Sequence, residues 1–172
     1  MKGTYKFKSK MEPRIEHSCE KKLIGQRKTM SFANYSIALL WQGFMPRKNE
    51  IQNKSSEDLF SLVKYQPTHF TDFKPSNEFE RWAAMEVSSF DQIPEGMESF
   101  VLPSGHYAVF SYQGLSTDNT IFKYIFETWL PNSVYELDDR PHFERLGKKY
   151  KNNDPNSEEE IWIPVKLLST VR

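Results

Sequence analysis

The sequence has few of the residues that build the commonest nucleotide, nucleophile and metal sites. Its 172 residues include only seven glycines, four histidines and one cysteine. The phosphate-binding motif GxxxxGK[ST], the dinucleotide motif GxGxxG and the nucleophile elbow GxSxG are all absent. The histidines never stand at HxH or HExxH spacing, so we expect no metal site and no bound cofactor. Kinases, classical hydrolases and metalloenzymes are therefore poor explanations of this chain.

Long apolar runs and cysteine pairs are missing as well. The longest unbroken apolar run, Ile37–Trp41, is far shorter than a membrane span. The N-terminal letters MKGTYKFKSK carry positive charge but precede no apolar segment, so they do not form a secretory signal. Cys19 has no second cysteine with which to form a disulfide, as is usual in a reducing cytosol. We expect a cytoplasmic protein without a membrane partner.

Excess charge of one sign is absent from the chain as a whole. Lys plus Arg and Asp plus Glu each number 23, so no global basic field exists to hold a nucleic acid. Residues 1–30 nevertheless carry nine Lys or Arg against three Glu. This local excess fits either an anionic partner or a solvated arm followed by an edge strand that lysines protect. Only about 30 residues precede the first predicted helix, so we expect no DNA-binding domain in this chain.

Aromatic residues are what the sequence has in abundance. Phe, Tyr and Trp number 13, 8 and 4 and make up 15% of the chain, more rings than a core needs for volume. The hydrophobic share of 38% and charged share of 27% are those of a globular protein, and the length favours one domain or two small subdomains. We therefore expect some of the rings to line a cavity.

The first half of the chain predicts a strand, a helix and two further strands. A loosely alternating segment, 14–31, indicates one long or broken strand in which Gly25 could mark a β-bulge. Residues 33–45 change to a helical period, with apolar side chains at i, i+3, i+4 and i+7. After a polar stretch, residues 59–65 and 79–90 predict two strands.

The second half repeats this order. Residues 97–113 predict a strand interrupted at 103–105, and residues 118–130 predict a helix that ends near a proline. Two strands follow, at 142–146 and 159–165. Each half therefore consists of a strand, a helix and two strands.

This duplication predicts an α+β fold. Two such units can pair their strands into one antiparallel sheet with both helices on one side, which leaves a central ligand groove on the pseudo-two-fold axis. We place the domain at 12–168, with repeats at about 14–90 and 97–168. A basic arm, 1–11, and a short tail, 169–172, flank it.

The strand HFERL contains the candidate functional carboxylate, Glu144. Strand alternation puts Glu144 on the face opposite Phe143 and Arg145. If Glu144 faces the groove, its burial costs several kcal/mol unless it gains a partner or a proton. Cation binding and proton chemistry both use such a group. The alternative is an exposed edge-strand glutamate paired to Arg145 or Arg140.

Aromatic side chains on the other elements are candidates to surround Glu144. Trp162 alternates with Ile161 and Ile163, and we expect it to share the face of Glu144. A single ring of this kind is more often a core residue than a ligand contact, but together these rings favour an aromatic box. The candidate ligand-binding rings are Trp41, Tyr65, Trp82, Tyr107, Tyr112 and Trp162.

Four phrases of the sequence, in order, resemble the GyrI-like small-molecule-binding family. They are LWQGFMPRKNEI (40–51), PSGHYAVFSYQG (103–114), WLPNSVYELDDRPHFE (129–144) and EEIWIPV (159–165). This domain is also the effector-binding module of AraC-type and MerR-type multidrug regulators. The resemblance implies the duplicated fold described above, and a Glu144 at the floor of an aromatic pocket that takes lipophilic, often cationic, compounds.

Three functions follow from these observations. The first is binding of bulky lipophilic, often cationic small molecules, for sensing or sequestration of toxic compounds. The second, also implied by some stand-alone family members, is hydrolysis of reactive cyclopropane-type electrophiles with Glu144 as general base and Tyr107 or Tyr112 as proton donor. The third is a protein-interaction antagonist of a toxin or enzyme target, which requires an exposed apolar patch outside the groove.

Overall fold

Nine strands and two helical segments make up residues 11–169, the part of the chain that the computed structural model describes. The strands are β1 (Arg14–Ser18), β2 (Lys21–Ser31), β3 (Lys54–Lys64), β4 (Glu78–Val87), β5 (Glu98–Leu102), β6 (Gly105–Gln113), β7 (Tyr135–Leu137), β8 (His142–Leu146) and β9 (Glu158–Leu167). Helix α1 (Ile37–Phe44) continues as a 3₁₀ segment, Met45–Glu50. Helix α2 (Thr120–Lys123) continues as a π-helical segment, Tyr124–Trp129, and a 3₁₀ turn, Leu130–Asn132.

The strands form one antiparallel sheet in the order β1-β6-β9-β8-β3-β4-β2-β5, with β7 paired to the end of β9. The two repeats contribute the blocks β6-β9-β8 and β3-β4-β2, which meet where β8 pairs with β3. The expected α+β fold with one antiparallel sheet built from two units is therefore confirmed.

The sheet curls on itself because its two ends are joined by short links. Only Cys19 and Glu20 connect β1 to β2, although these strands lie at opposite ends of the strand order. Two intervening residues reach at most about 11 Å between the strand ends, so the ends of the sheet must meet. The antiparallel pairing also keeps one register from the Arg14–Val109 pair to the Gly25–Glu98 pair. This register continues across the break between β1 and β2 and the break between β5 and β6. The long strands 14–31 and 98–113 therefore bend together.

The curled sheet has two faces of different character. On the inner face a row of cross-strand neighbours runs Trp82, Leu62, Phe143 and Trp162, and this core cluster contains no helix residue. On the opposite side, the helix face, the adjacent row runs Ala83, Ser61, Glu144 and Ile161. Ala83 packs with the α1 residues and Ile161 with the α2 residues. Both helices lie on one side of the sheet, as expected.

The helices are held by few but well-spaced apolar side chains. In α1, Leu40 and Phe44 are buried, four residues apart on one face. Along α2 and its continuation, Ile121, Ile125 and Trp129 are buried at the same spacing. None of the helices among the described residues is long and apolar enough to cross a membrane.

Several expected boundaries differ from the structure. Strand β3 begins at Lys54, within the stretch expected to be polar loop, because residues there pair with β4 across a register irregularity. The short strand β7 was not expected at all. The predicted basic arm, 1–11, and tail, 169–172, lie outside the described residues except for residues 11 and 169, and stay predictions.

Gly25 is not a bulge, because β2 pairs with β4 in one unbroken register from Lys22 to Ser31. Its neighbour across the sheet is Ala84, and a Cβ at position 25 would contact the Ala83 carbonyl oxygen and lie 2.6 Å from the Ala84 Cα. Glycine is needed here because the two backbones approach closely.

We predict that Gly25→Ala lowers the free energy of unfolding by about 1–3 kcal/mol, because the added methyl overlaps backbone atoms that cannot move freely. Urea unfolding followed by circular dichroism measures the change. Gly147→Ala is the matched control, since its Cβ would meet only Asp58 Oδ1 at an ordinary 3.6 Å. A Gly25→Ala protein as stable as this control would contradict the close approach.

Candidate functional site

One cluster of apolar side chains lies under α1 and another under α2. Between them a strip of the helix face runs over β3 and β8, and we call this strip the central groove. Ser61 and Glu144 stand opposite each other there, at the junction of the two repeats. The Glu144 side chain is 20% exposed, so it is largely withdrawn from water. The register thus turns this carboxylate toward the gap between the helices, on the side away from Arg145.

The ion-pair partner of Glu144 is Arg81, on the flanking strand β4. Arg81 Nη2 lies 3.5 Å from Glu144 Oε2 and donates a hydrogen bond to Ser61 Oγ at 2.6 Å. The Arg81 side chain is 11% exposed, and its buried Nε–H donates to no acceptor among the described residues. The groove therefore contains a half-satisfied guanidinium beside its carboxylate.

The two arginines expected as alternative partners of Glu144 bind elsewhere. Arg145 Nε donates to Asp58 Oδ2 at 2.7 Å, on the inner-face side of β8. Arg140 Nε donates to Asp138 Oδ2 at 2.6 Å, and its guanidinium lies over the Tyr107 ring. The alternative of an exposed edge-strand glutamate paired to Arg145 or Arg140 is therefore wrong.

A second carboxyl group, that of Glu159, lies near Glu144 on the helix face. Glu144 pairs across the strands with Ile161, and Glu159 is the next residue of β9 on that same face. Burial, reinforced by the negative charge of Glu144, raises the pKa of Glu159 to about 7. Near neutral pH this side chain is a mixture of acid and carboxylate.

Two tyrosines respond to the charges of the groove. Burial raises the pKa of Tyr65 to about 12, with Arg81 opposing and Glu144 adding to the shift. Burial also raises the pKa of Tyr35, whose hydroxyl responds to the same two charges. Both hydroxyls therefore stay protonated and are available as donors close to the Arg81–Glu144 pair.

Rings from four elements converge at one end of the groove. Tyr65, at the end of β3, has His69, Phe70 and His142 at centroid distances of 4.5, 4.8 and 5.2 Å. Phe126, from the α2 continuation, stacks on His142 at 6.1 Å. We call the whole set the aromatic cluster: Phe32, Tyr35, Tyr65, His69, Phe70, Phe73, Phe79, Phe126 and His142.

The aromatic cluster combines a buried base with an exposed rim. Phe32, Tyr35, Phe70 and Phe73 are each about half exposed. His142 and His69 are buried, and burial lowers the pKa of both imidazoles, that of His142 to about 3. Neither histidine therefore adds positive charge to the groove at neutral pH.

The structure brings only some of the expected ligand-binding rings to Glu144. Tyr65 is near enough to feel the charge of Glu144, and Tyr112 is on the same face, paired across the strands with Glu159. The Tyr112 hydroxyl, however, donates to the Leu115 carbonyl oxygen at 2.9 Å. Trp41 packs edge-on to Phe44 in the cluster under α1 and contributes no ring to the aromatic cluster.

The expectation that Trp162 shares the face of Glu144 is wrong, and the candidate ring Trp82 also lies on the other face. Antiparallel pairing puts Trp162 opposite Phe143, so both rings belong to the inner core, as do Trp82 and Tyr107. Alternation within a strand fixes relative faces, whereas the register between strands decides which faces coincide.

The two inner-face tryptophans occupy equivalent places in the two repeats. Trp82 Nε1 donates to Glu80 at 2.6 Å, and Trp162 Nε1 donates to Glu160 at 3.0 Å. Arg27 and Arg14 in turn pair with these glutamates. The Glu-x-Trp phrase is thus a duplicated structural unit of the inner core.

Arg81, Tyr35, Glu159 and the loop rings were missed by sequence reasoning. Because Arg81 precedes Trp82 in a strand, alternation shows that the two side chains point to opposite faces. Only the registers of β3 with β4 and β8 place Arg81 on the face of Glu144. The rings of the 66–77 segment belong to a loop, where no periodicity reports which way a side chain points.

Two surface clefts lie away from the central groove. One, of about 540 Å³, is lined by Glu50, Gln52 and residues 91–94. The other, of about 500 Å³, lies between Ile15, Trp129 and Val134. Neither includes Glu144 or a member of the aromatic cluster. No group of three or more potential metal ligands occurs in the part of the chain that the structure describes.

Comparison with known proteins gives a consistent family assignment. The family model "Cass2: Integron-associated effector binding protein" matches residues 14–165. The transcriptional regulator BrlR of Pseudomonas aeruginosa is 28% identical over 157 residues, which cover 90% of this chain and 56% of BrlR. The chain thus spans little more than half the length of this curated relative.

Solved structures share the fold at low sequence identity. SAV2435, solved bound to tetraphenylphosphonium, superposes with a TM-score of 0.66 at 19% identity, over 91% of this chain and 94% of SAV2435. An integron cassette protein of Vibrio cholerae gives 0.63 at 17% identity, over 90% of this chain and 96% of that protein. These similarities support the duplicated sheet and its two helices.

We predict that Glu159→Gln stabilises the protein at pH 8 by about 1–2 kcal/mol, after allowance for partial exposure. In the folded protein the pKa of the Glu159 carboxyl group is raised from the usual 4.5 to about 7, so this group keeps its proton up to about pH 7. The stability from protonation is therefore present below about pH 4.5 and is lost as the pH rises through 7. Urea unfolding at pH 8 and pH 4 measures the difference, which should vanish at the lower pH.

Glu158→Gln is the control for this experiment, because Glu158 is a partly exposed residue of the same strand and pairs with Lys149 at 3.2 Å. It should give no stabilisation at either pH. Equal stability of the Glu159→Gln and unaltered proteins at pH 8 would show that Glu159 is ordinarily ionised.

Proposed function

The chain belongs to the Cass2 family of integron-associated effector-binding proteins, and from that premise we propose that its central groove binds bulky lipophilic compounds that carry a cationic group. The binding of a small-molecule effector follows from the family. The chemistry of the effector is the proposal, and the observation that carries it is the largely buried Glu144 at the edge of the aromatic cluster.

The electrostatics of the groove favour a cation. Glu144 and Glu159 present two carboxyl groups beside the guanidinium of Arg81, and the two nearby histidines are neutral. A positively charged ligand would draw the Glu159 proton off and would be held by both carboxylates. Low exposure strengthens these interactions relative to those at a solvated surface.

The aromatic cluster supplies the lipophilic part of the proposed site. Ring faces attract a cation by about 0.5–2 kcal/mol each and also bury apolar ligand surface. The half-exposed rim, including Phe32 and Phe70, can admit ligands of different shape by side-chain rotation. Such a surface suits compounds that share a ring system and a charge rather than one particular outline.

The relatives are in keeping with this chemistry. SAV2435 was solved with tetraphenylphosphonium, a bulky lipophilic cation. BrlR is a transcriptional regulator, and this chain matches only part of it. We propose that the protein senses or sequesters toxic compounds, and that any transcriptional output depends on parts beyond the helix and strand elements described above.

We predict that the protein binds tetraphenylphosphonium and that Glu144→Gln weakens this binding by about 10- to 100-fold. The amide keeps the shape of the side chain and removes its charge. Neutral triphenylphosphine oxide should change by less than about threefold, because it gains nothing from a carboxylate. Isothermal titration calorimetry of both compounds measures the effect.

Glu158→Gln serves as the charge-matched control and should leave both affinities unchanged, since that side chain lies outside the groove. Unaltered tetraphenylphosphonium affinity in the Glu144→Gln protein, accompanied by lower stability, would mean that Glu144 is only a structural partner of Arg81.

Hydrolysis of a reactive electrophile is a second candidate function, favoured by the unlike carboxyl groups of Glu144 and Glu159. Glu144 would take a proton from water while the oxygen of that water bonds to a strained-ring carbon. The ring bond would break, and protonated Glu159 would supply a proton to the departing carbon. Tyr107 is excluded as the donor because it lies on the inner face, and the Tyr112 hydroxyl already donates to Leu115.

For this second function we predict multiple turnovers when a cyclopropane-type electrophile is in excess, and a loss of about 100-fold or more in Glu144→Gln. Mass spectrometry of the hydrated product measures the turnover. Stoichiometric protection of the compound without product would leave binding as the function.

A further inference from the structure

We propose that Arg81 makes the central groove bipolar, so that it selects lipophilic zwitterions over simple lipophilic cations. The inference rests on the proposed function and assigns to Arg81 the part of a specificity-determining residue. The preferred compound would carry a cationic group beside its rings and an anionic group, such as a carboxylate, within reach of the guanidinium.

The position of Arg81 gives the first step. Arg81 stands on β4 opposite Val63 of β3, and β3 separates it from the strand of Glu144. Its Nη2 atom lies between Ser61 Oγ and Glu144 Oε2. The charge of Glu144 is therefore already partly balanced. A ligand with only positive charge must compete with a guanidinium that is tethered to the same sheet.

Unused hydrogen-bond donors give the second step. A guanidinium has five N–H groups, and Arg81 makes one short hydrogen bond, to Ser61. Its 3.5 Å approach to Glu144 is long for a charge-assisted hydrogen bond, and its Nε–H is buried without an acceptor among the described residues. A ligand carboxylate has the planar geometry that a guanidinium fork binds best.

The carboxyl groups of the groove extend away from Arg81. Glu144, on β8, lies 3.5 Å from Arg81, and Glu159 lies one strand further from Arg81, on β9. A zwitterion can place its anionic group on Arg81 and its cationic group beside these carboxyl groups. It thereby separates the Arg81–Glu144 pair and leaves each charge with a new partner, whereas a simple cation leaves Arg81 without one.

A matched pair of probes tests the inference on the unaltered protein. (4-Carboxybutyl)triphenylphosphonium is a zwitterion at neutral pH, and its methyl ester is a cation with the same rings and chain. We expect the zwitterion to bind at least about tenfold more tightly than the ester in isothermal titration calorimetry. Equal affinities, or tighter binding of the ester, would overturn the inference.

Arg81→Gln gives an independent result. The zwitterion should lose about tenfold or more in affinity, while the ester should bind as well as before or better, because Glu144 is then released from its counter-ion. Parallel weakening of both probes would mean that Arg81 only supports the fold, and would overturn its assignment to specificity.

Arg145→Gln is the control, since it removes the same charge from β8 on the other face, where Arg145 pairs with Asp58. It should leave the ratio of the two affinities unchanged. If Arg81→Gln does not fold by circular dichroism, Arg81→Lys replaces it: the charge remains but the fork is lost, and the preference for the zwitterion should shrink.

The outcomes also separate this inference from the proposed function. If the ester and tetraphenylphosphonium bind but the zwitterion has no advantage, lipophilic-cation binding stands and the bipolar site is wrong. If none of the three phosphonium compounds binds to the unaltered protein, the proposed function fails and this inference fails with it.

Discussion

The pairing of β3 with β8 is the constraint on which the rest of the site depends. It sets Ser61 opposite Glu144 at the junction of the two repeats, and every face assignment across the sheet follows from it. With this register Glu144 falls on the helix face near Arg81, and Phe143 falls in the inner core beside Trp162. A shift by one residue would move the carboxylate to the inner face, away from Arg81.

The order of elements could be predicted from the sequence because each repeat carries strong local signals. Apolar spacing in 37–44 and alternation in 142–146 report helix and strand directly, and both match the structure. The faces of Trp82 and Trp162 could not be predicted in this way. Alternation leaves two possibilities for which face of each strand points inward. The register between distant strands decides between them, and that register belongs to a sheet closed by short links such as Cys19–Glu20.

The partners of Glu144 were beyond prediction for a related reason. Arg81 belongs to the other repeat. Its strand β4 and the Glu144 strand β8 both pair with β3, and the Arg81 side chain reaches Glu144 across β3. His69 and Phe70 come from a loop that folds over the end of β3, and loop side chains have no periodic signature. Glu144 was singled out for two reasons: a charged residue among rings is costly, and the phrase that contains it resembles the GyrI-like family.

Comparison of the two repeats explains how a symmetric scaffold acquires a polar site. Trp82 pairs with Leu62 and Trp162 with Phe143, so the inner face keeps the same kind of contact twice. On the helix face, the residue before each tryptophan differs: it is Arg81 in one repeat and Ile161 in the other. The residue after Leu62 is Val63, whereas the residue after Phe143 is Glu144. Duplication thus preserves the core that closes the sheet, while the charged residues Arg81 and Glu144 of the helix face come from different repeats and from positions that are not equivalent.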